Sequence, residues 1–257
     1  MTITLLQTNI KWSSPSANHR EAERLIEQAE ISDLYILPEM WTTGFATYSD
    51  GVVEEADASG ETDSLRWMRR MAQTYDAAIA GSLAMKLPDG TYRNRFLFVT
   101  PSGEEYYDKR HLFSYGGEDK RYTAGDRRVV IEWRGVRFLL QVCYDLRFPV
   151  FSRNHGDYDV ALYVANWPDS RRQVWDALLR ARAIENQCYV IGVNRVGDDA
   201  RCHYDGGSAV IDAYGRRVAL ATDERQHPVT AEIDMDRLHR FRKKFPVLAD
   251  GDPFSIE

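Results

Sequence analysis

Along the 257-residue chain, segments in which every second residue is apolar alternate with segments in which apolar residues recur at helical spacing. Residues 2–8 alternate in polarity and include β-branched side chains, a pattern that predicts a strand. Residues 18–29 instead place apolar side chains at helical spacing, which predicts an amphipathic helix. The same criteria predict further helices over 62–75 and 174–186, and further strands over 34–38, 77–85, 94–100, 129–133, 136–143, 159–165, 188–194, 207–212, 216–221 and 229–233.

The order of these elements predicts the architecture. Strands and helices alternate in the first part of the chain, whereas strands occur in pairs around residues 88–90 and 134–135. Helices packed outside two stacked sheets account for this order better than a single parallel sheet does. No linker, repeat or low-complexity stretch divides the sequence, so we expect one domain over residues 1–257. Residues 241–257 show few periodic positions and are expected to form a C-terminal tail.

Composition and charge narrow the possible functions. The 33 lysines and arginines are outnumbered by 39 acidic residues, and this net charge of −6 argues against a nucleic-acid-binding protein. We interpret the basic cluster at 237–244 as a solvated helix end or a tail contact. No apolar run approaches the roughly 20 residues that a membrane span needs, and the N-terminus lacks a signal-peptide pattern. A soluble, cytoplasmic protein that binds neither nucleic acid nor membrane is expected.

Cysteine and histidine usage predicts the absence of disulfides and of a metal centre. Three cysteines without a Cys-x-x-Cys pair fit a reducing compartment. Cys188 in an apolar strand and Cys202 in a loop are expected to be non-catalytic. The six histidines are scattered, and no pair has the spacing of a zinc site, so we predict neither a metal nor another cofactor.

Three polar side chains follow predicted strands in separate parts of the chain. Glu39 follows a short apolar strand, Lys109 lies in a charged turn after a strand, and Cys143 ends an apolar strand. Brought together, they would supply a general base, an oxyanion donor and a nucleophile. Each residue also has an ordinary alternative: an exposed loop carboxylate, a surface charge and a small buried apolar side chain, respectively.

The chemistry of the thiol sets further expectations. Cys143 must lose its proton before or during attack on a carbonyl, and burial of Glu39 at a strand end would suit that carboxylate to accept it. The amide N–H of Tyr144 could complete an oxyanion hole with Lys109. We expect His111 to order the lysine turn and not to contact the substrate.

The residues that flank Glu39, Lys109 and Cys143 favour the functional interpretation of these positions over the ordinary alternatives. The chain resembles the nitrilase, or carbon–nitrogen hydrolase, superfamily over essentially its whole length, and within it the omega-amidase branch most. The segments that carry the resemblance are PEMWTTGF at 38–45, DKRHLF at 108–113, CYDLRFP at 143–149, ANWP at 165–168 and RARAIENQCYV at 180–190.

The resemblance implies a role for each residue of a Glu-Lys-Cys triad. Glu39 matches the general base, Lys109 the oxyanion-stabilising lysine and Cys143 the nucleophile. Glu118, seven residues before Gly125, matches a second glutamate that positions the lysine and the substrate; an ordinary loop carboxylate is the alternative. The implied fold is a four-layer α-β-β-α sandwich of two stacked mixed sheets flanked by helices, usually assembled as a homodimer.

The resemblance also implies a small-molecule amide substrate with an anionic far end, such as alpha-ketoglutaramate or alpha-ketosuccinamate. Arg147, Arg171 or the neighbouring Arg172 could bind this carboxylate through bidentate hydrogen bonds, although arginines at strand ends more often pair with the protein's own carboxylates. The aromatic residues expected to line the pocket are Tyr144, Trp167 and Trp41.

The predicted reaction is hydrolysis of a terminal carboxamide through a cysteine thioester, with release of ammonia. Two alternatives stay open from sequence. One is a carbon–nitrogen hydrolase acting on a nitrile, an N-carbamoyl group or another aliphatic amide. The other is a non-catalytic binding or scaffold protein of the same fold, against which the presence of all three triad side chains argues.

Overall fold

A computed structural model describes residues 1–47 and 51–256 of the chain. Its α-helices are α1 (Pro15–Gln28), α2 (Asp63–Tyr75), α3 (Arg172–Glu185) and α4 (Met235–Lys244). Its strands are β1 (Thr2–Gln7), β2 (Leu34–Ile36), β3 (Glu54–Glu55), β4 (Ala78–Lys86), β5 (Tyr92–Thr100), β6 (Gly103–Asp108), β7 (Val130–Trp133), β8 (Val136–Val142), β9 (Val160–Ala165), β10 (Tyr189–Asn194), β11 (Val196–Asp198), β12 (His203–Asp205), β13 (Ala209–Ile211), β14 (Arg217–Leu220) and β15 (His227–Glu232).

The strands form two mixed sheets and a separate hairpin. The first sheet has the order β15-β1-β2-β4-β5-β6, with β3 paired to β4, and the second has the order β14-β13-β10-β9-β8-β7. Neighbours among β1, β2 and β4 run parallel, as do β8, β9 and β10, so the carboxyl ends of the central strands in each sheet share one edge. Strands β11 and β12 form the hairpin.

The two sheets stack face to face around the main hydrophobic core. Phe98 of the first sheet meets Phe138 of the second, with ring centroids 5.5 Å apart. Helices α1 and α2 cover the outer face of the first sheet, and α3 covers the outer face of the second. Leu139, next to Phe138, points to the α3 side because successive strand residues face opposite sides of a sheet. The predicted four-layer α-β-β-α sandwich is therefore confirmed.

Helix α2 shows how local sequence sets an element's ends. The Thr62 hydroxyl accepts a hydrogen bond from the amide of Leu65 at 3.1 Å, which caps the first turn. The apolar spacing predicted from sequence buries Met68 and Ala72 against the first sheet. The helix ends at Tyr75, because the next residue, Asp76, adopts a left-handed conformation with φ of 46°.

The C-terminal region differs from the prediction. Helix α4 continues to Lys244, so the tail boundary expected at residue 241 falls inside a helix. The side chain of Asp234 caps this helix by accepting from the amide of Arg237 at 2.8 Å. Leu238 is buried, and Phe241 packs on Tyr214 with ring centroids 4.1 Å apart. The sparse apolar positions concealed the helix because only a narrow stripe contacts the core.

Candidate active site

The triad side chains follow strands whose carboxyl ends point the same way. Glu39 lies just beyond β2 and Lys109 directly after β6, both in the first sheet, while Cys143 directly follows β8 in the second. Strand β6 is two antiparallel steps from β4 and therefore runs in the same direction as β2. Stacking the two sheets places these three ends at one edge of the sandwich.

The lysine is held by two carboxylates in the buried interior. Lys109 Nζ lies 2.9 Å from Glu39 Oε1 and 2.8 Å from Glu118 Oε2, and all three side chains are fully buried. The Glu118 carboxylate also accepts from the amide of Phe113 at 2.7 Å. A buried charge needs such close partners, because its desolvation is otherwise too costly.

Asn94 of β5 joins the two carboxylates and was not identified from sequence. Its Nδ2 donates to Glu39 Oε1 at 2.8 Å and to Glu118 Oε1 at 2.9 Å. Its Oδ1 accepts from the Ser82 hydroxyl at 2.8 Å, which fixes the orientation of the amide. Only its position as a polar residue at the beginning of an apolar strand could have indicated this role.

Asn166, the first residue after β9, supports Glu39 from the second sheet. Its backbone amide donates to Glu39 Oε2 at 2.8 Å, and its Nδ2 donates to the Glu39 carbonyl at 2.7 Å. Glu39 is therefore held by donors from both sheets. The sequence pointed to residues 165–168 as a motif without assigning a role to this asparagine.

Cys143 occupies a strained position between strand and turn. Its φ of 46° lies in the left-handed region, which costs energy for a residue with a side chain. It opens a 3₁₀ turn over Cys143–Arg147. The turn directs the chain away from the sheet directly after β8, and Cys143 lies on a cavity wall.

Electrostatics of the site keep the thiol protonated and the lysine charged. Burial, together with the charges of Glu39 and Glu118, raises the pKa of Cys143 well above its ordinary value, against the opposing influence of Lys109. Burial alone would lower the pKa of Lys109, but Glu118 and Glu39 raise it well above its ordinary range. Burial also raises the pKa of Glu118, an effect that the Lys109 charge opposes. The lysine can therefore stabilise negative charge without exchanging its proton.

Asp145 links the nucleophile's turn to the lysine segment. Its carboxylate accepts from the amide of Val142 at 2.8 Å, from the Tyr107 hydroxyl at 2.9 Å and from the amide of His111 at 3.1 Å. His111 Nδ1 lies 2.7 Å from the same carboxylate, and its ring stacks on Phe148 at 3.8 Å. This geometry favours the ordering role that we expected for His111.

A cavity of about 190 Å³ opens beside Cys143. Four of the residues predicted to bind substrate line it, namely Tyr144, Arg147, Trp167 and Arg171. Its walls also include Phe45, Phe113, Asn166 and the hairpin residues Asp199, Arg201, Cys202 and Tyr204, which were not predicted as pocket residues. Cys202 thus lines the same cavity as Cys143.

The prediction that Trp41 lines the pocket is wrong. Its indole is buried between the first sheet and the helices, 5.0 Å from the ring of Trp67 and 5.4 Å from that of His19. Met40 adopts a left-handed conformation with φ of 42°, which breaks the strand-like alternation after Glu39 and turns the next side chain outward. Phe45 lines the cavity instead.

The three arginines proposed to bind the substrate carboxylate differ in whether they form ion pairs with the protein's own carboxylates. Arg172 pairs with Asp205 at 2.8 Å, Asp223 at 2.9 Å and Asp176 at 3.2 Å, so it is committed to the protein's own carboxylates. Arg147 and Arg171 form no ion pair within the described part of the chain. Their guanidinium groups lie over aromatic rings of the cavity, Arg147 over Trp167 at 5.1 Å and Arg171 over Phe113 at 5.5 Å.

Neither a metal cluster nor a membrane helix is found in residues 1–47 and 51–256. No group of three or more His, Cys, Asp or Glu side chains there could hold a metal ion. No helix there is long and apolar enough to cross a membrane.

Comparison with known proteins identifies the family that this chain resembles. A family model described as carbon-nitrogen hydrolase matches residues 2–243. The chain is 48% identical over 256 residues to omega-amidase YafV of Yersinia enterocolitica, covering 99% of this chain and 98% of that protein. It is 34% identical over 255 residues to the 2-oxoglutaramate amidase of Bacillus subtilis, covering 97% and 96% respectively.

A solved structure agrees with the sequence relatives. The crystal structure of a CN-hydrolase superfamily protein from Xanthomonas campestris, which carries an arsenic adduct in its active site, superposes with a TM-score of 0.94. The two chains are 43% identical, and the alignment covers 100% of this chain and 99% of the other. The chain described here therefore belongs to the carbon–nitrogen hydrolase family.

Proposed function

We propose that the protein is an omega-amidase, which hydrolyses the terminal carboxamide of a small dicarboxylic acid monoamide and releases ammonia. The observation that carries the proposal is the convergence of Glu39, Lys109 and Cys143 beside a small cavity with two arginines that have no carboxylate partner among the described side chains. The likeness to omega-amidase YafV over nearly the full length supports the same activity.

The first half of the reaction forms a thioester. The Cys143 sulfur attacks the amide carbon while Glu39 accepts the thiol proton. The Lys109 ammonium and the amide N–H of Tyr144 stabilise the negative oxygen of the tetrahedral intermediate. Glu39 returns the proton to the amide nitrogen, the C–N bond breaks, and ammonia leaves.

The second half regenerates the enzyme. Water attacks the thioester carbon while Glu39 accepts one of its protons. The same oxyanion donors stabilise the second tetrahedral intermediate. The C–S bond then breaks, the sulfur recovers its proton from Glu39, and the carboxylic acid is released. Glu118 and Asn94 keep Lys109 and Glu39 in place throughout.

We propose that Arg171 and Arg147 bind the substrate's distal carboxylate. Both line the cavity, and a carboxylate would supply the anionic partner that they lack among the described side chains. Arg171 is the better placed of the two, because it is half-buried whereas Arg147 is exposed. Less competition from water strengthens a charged hydrogen bond.

The decisive experiment is a survey of ammonia release. The purified protein is assayed with 2-oxoglutaramate and 2-oxosuccinamate, with uncharged aliphatic amides of the same length, and with nitriles and N-carbamoyl amino acids. We expect the keto-acid amides to have the highest kcat/KM, and removal of the carboxylate to raise KM. Preference for a nitrile or an N-carbamoyl substrate would favour another carbon–nitrogen hydrolase, and ammonia release by Cys143→Ala would contradict the mechanism.

The remaining features are proposals as well. We propose a single domain over residues 1–257 and a cytoplasmic homodimer. Exposed apolar side chains on the edge strand β14, Val218 and Leu220, support contact with a second copy. Sedimentation analysis measures the assembly, and a monomer at micromolar concentration would contradict the dimer.

A further inference from the structure

A buried acceptor beside the catalytic carboxylate has no donor among the residues that the structure describes. Asn166 is 7% exposed and lies on the cavity wall. Its Oδ1 is buried, and no hydrogen-bond donor of residues 1–47 or 51–256 reaches it. An unpaired buried acceptor costs about 1–3 kcal/mol, so such an atom in a site points to a ligand that pairs with it.

The orientation of the Asn166 amide is fixed by its neighbours. Its Nδ2 faces two oxygens of Glu39, the carbonyl at 2.7 Å and Oε2 at 3.4 Å. Both are acceptors when the carboxylate is ionised, so rotating the amide by half a turn would place oxygen against oxygen. Oδ1 must therefore be the atom that is turned away from Glu39.

This acceptor belongs to a residue that contacts the proton-carrying carboxylate and lines the cavity beside the nucleophile. The backbone amide of Asn166 is 2.8 Å from Glu39 Oε2, so the residue adjoins the carboxylate that carries the proton between sulfur and nitrogen. Glu39 and Lys109 are buried as completely as Oδ1, so the atom shares the setting of groups that must contact substrate. Cys143 lines the same cavity.

We propose, on the basis of the omega-amidase function above, that Asn166 Oδ1 accepts a hydrogen bond from an N–H of the scissile carboxamide. The substrate's carbonyl oxygen faces Lys109, so its NH₂ group needs a separate acceptor. This bond turns the nitrogen lone pair toward Glu39, which protonates it before the C–N bond breaks. It also selects primary amides over esters and nitriles, which carry no N–H at the reacting centre.

The test compares an amide with an ester of the same acid. Asn166→Ala removes the acceptor but also weakens the support of Glu39, so Asn94→Ala is the matched control. Asn94 supports the same carboxylate at 2.8 Å and does not line the cavity. Rates are measured for 2-oxoglutaramate and the 5-methyl ester of 2-oxoglutarate, after thermal unfolding has shown that each variant is folded.

We expect Asn166→Ala to lower kcat/KM for the amide about tenfold more than for the ester, a difference that corresponds to one buried hydrogen bond. Asn94→Ala should lower the two values by similar factors. Equal losses for amide and ester in Asn166→Ala would overturn the inference and leave Asn166 a support for Glu39 alone. If Asn166→Ala does not fold, Asn166→Ser takes its place.

If the ester is hydrolysed too slowly for its rate to be measured, a binding measurement replaces the kinetic comparison. In the Cys143→Ala background, we expect Asn166→Ala to weaken binding of the amide about tenfold and binding of the ester little, whereas equal weakening would refute the proposal. If the proposed omega-amidase function itself is wrong, the unmodified protein releases no ammonia from any keto-acid amide. That outcome is distinct from equal losses for amide and ester in Asn166→Ala.

Discussion

At the scale of single residues, the site contains a thiol that is protonated at rest. Burial and the neighbouring carboxylates raise the pKa of Cys143, whereas many reactive cysteines have a lowered pKa. The proton must therefore leave during the attack, and Glu39 is the group that can accept it. A resting thiol also protects the nucleophile from adventitious oxidation, because the thiolate is the form that reacts.

The first prediction concerns the pH dependence of this thiol. A raised pKa means that the protonated form persists at a higher pH than for an ordinary cysteine, so no Cys143 thiolate should be present at pH 7. The measurement is thiolate ultraviolet absorbance as pH rises, with the Cys143→Ala protein subtracted to remove Cys188 and Cys202. A Cys143 thiolate signal that is already complete at neutral pH would contradict this.

The second prediction concerns Glu118. Glu118→Gln should lower kcat/KM about 10²-fold, because Lys109 loses one of the two carboxylates that hold its charge in position. Steady-state ammonia release measures the effect. Glu54→Gln is the control, since Glu54 is a half-buried carboxylate that binds Ser64 Oγ at 2.7 Å away from the cavity, and it should change the rate only a few-fold. A loss of less than threefold in Glu118→Gln would assign it a structural role.

At the scale of elements, the position of Lys109 depends on how closely two backbone segments approach. Gly125 donates its amide to the Lys109 carbonyl at 3.0 Å. A Cβ atom at residue 125 would lie 2.1 Å from the carbonyl oxygen of Asp108, far inside contact distance. A glycine is therefore required where this loop crosses the end of β6.

The third prediction follows from that contact. Gly125→Ala should lower the free energy of unfolding by about 1–3 kcal/mol, the usual cost of overpacking, and reduce kcat because Lys109 is displaced. Gly103→Ala at the other end of β6 is the control, because a Cβ there meets no atom within 4 Å. Denaturant unfolding and ammonia release are the measurements. Equal stability of the two variants would show that the loop yields without strain.

At the scale of the whole molecule, helix α4 is bound to the second sheet by Arg242. Its guanidinium donates to Asp159 Oδ1 at 2.7 Å, to the Tyr158 carbonyl at 2.8 Å and to the Gln187 carbonyl at 2.8 Å. Burial would raise the pKa of Asp159, but Arg137 and Arg242 lower it below its ordinary value. The ionised carboxylate thus stabilises the folded chain.

The fourth prediction is that Arg242→Met lowers the free energy of unfolding by about 1.5–3 kcal/mol near neutral pH. A lowered pKa gives stability that is present above the ordinary value and is lost as pH falls through the folded value, so the difference from the unmodified protein should shrink below about pH 4. Arg240→Met, on an exposed position of the same helix, is the control. A difference independent of pH would exclude Asp159 as the partner that matters.

Sequence alone determined the elements and the chemistry they carry. Alternating and helical hydrophobic periods are local properties of the chain, so most strands of the two sheets and helices α1, α2 and α3 could be predicted to within a few residues. Polar residues at or after strand ends can be recognised in the same way, which identified Glu39, Lys109 and Cys143 as the candidate triad, although the strand that directly precedes Lys109, β6, was not itself predicted. Strands β3 and β6, helix α4 and the hairpin β11–β12 escaped prediction because their apolar patterns are short or sparse.

Only the tertiary structure decided which side chains meet. Asn94 and Asn166 contact Glu39 from different sheets, across separations of 55 and 127 residues that no local pattern records. The backbone turn at Met40 sent Trp41 to the helix side, and the carboxylates around Arg172 engage that arginine, whereas Arg147 and Arg171 have no ion pair within residues 1–47 and 51–256. Hydrophobic period specifies which face of an element is buried, but the partner across that face is set by how the layers stack.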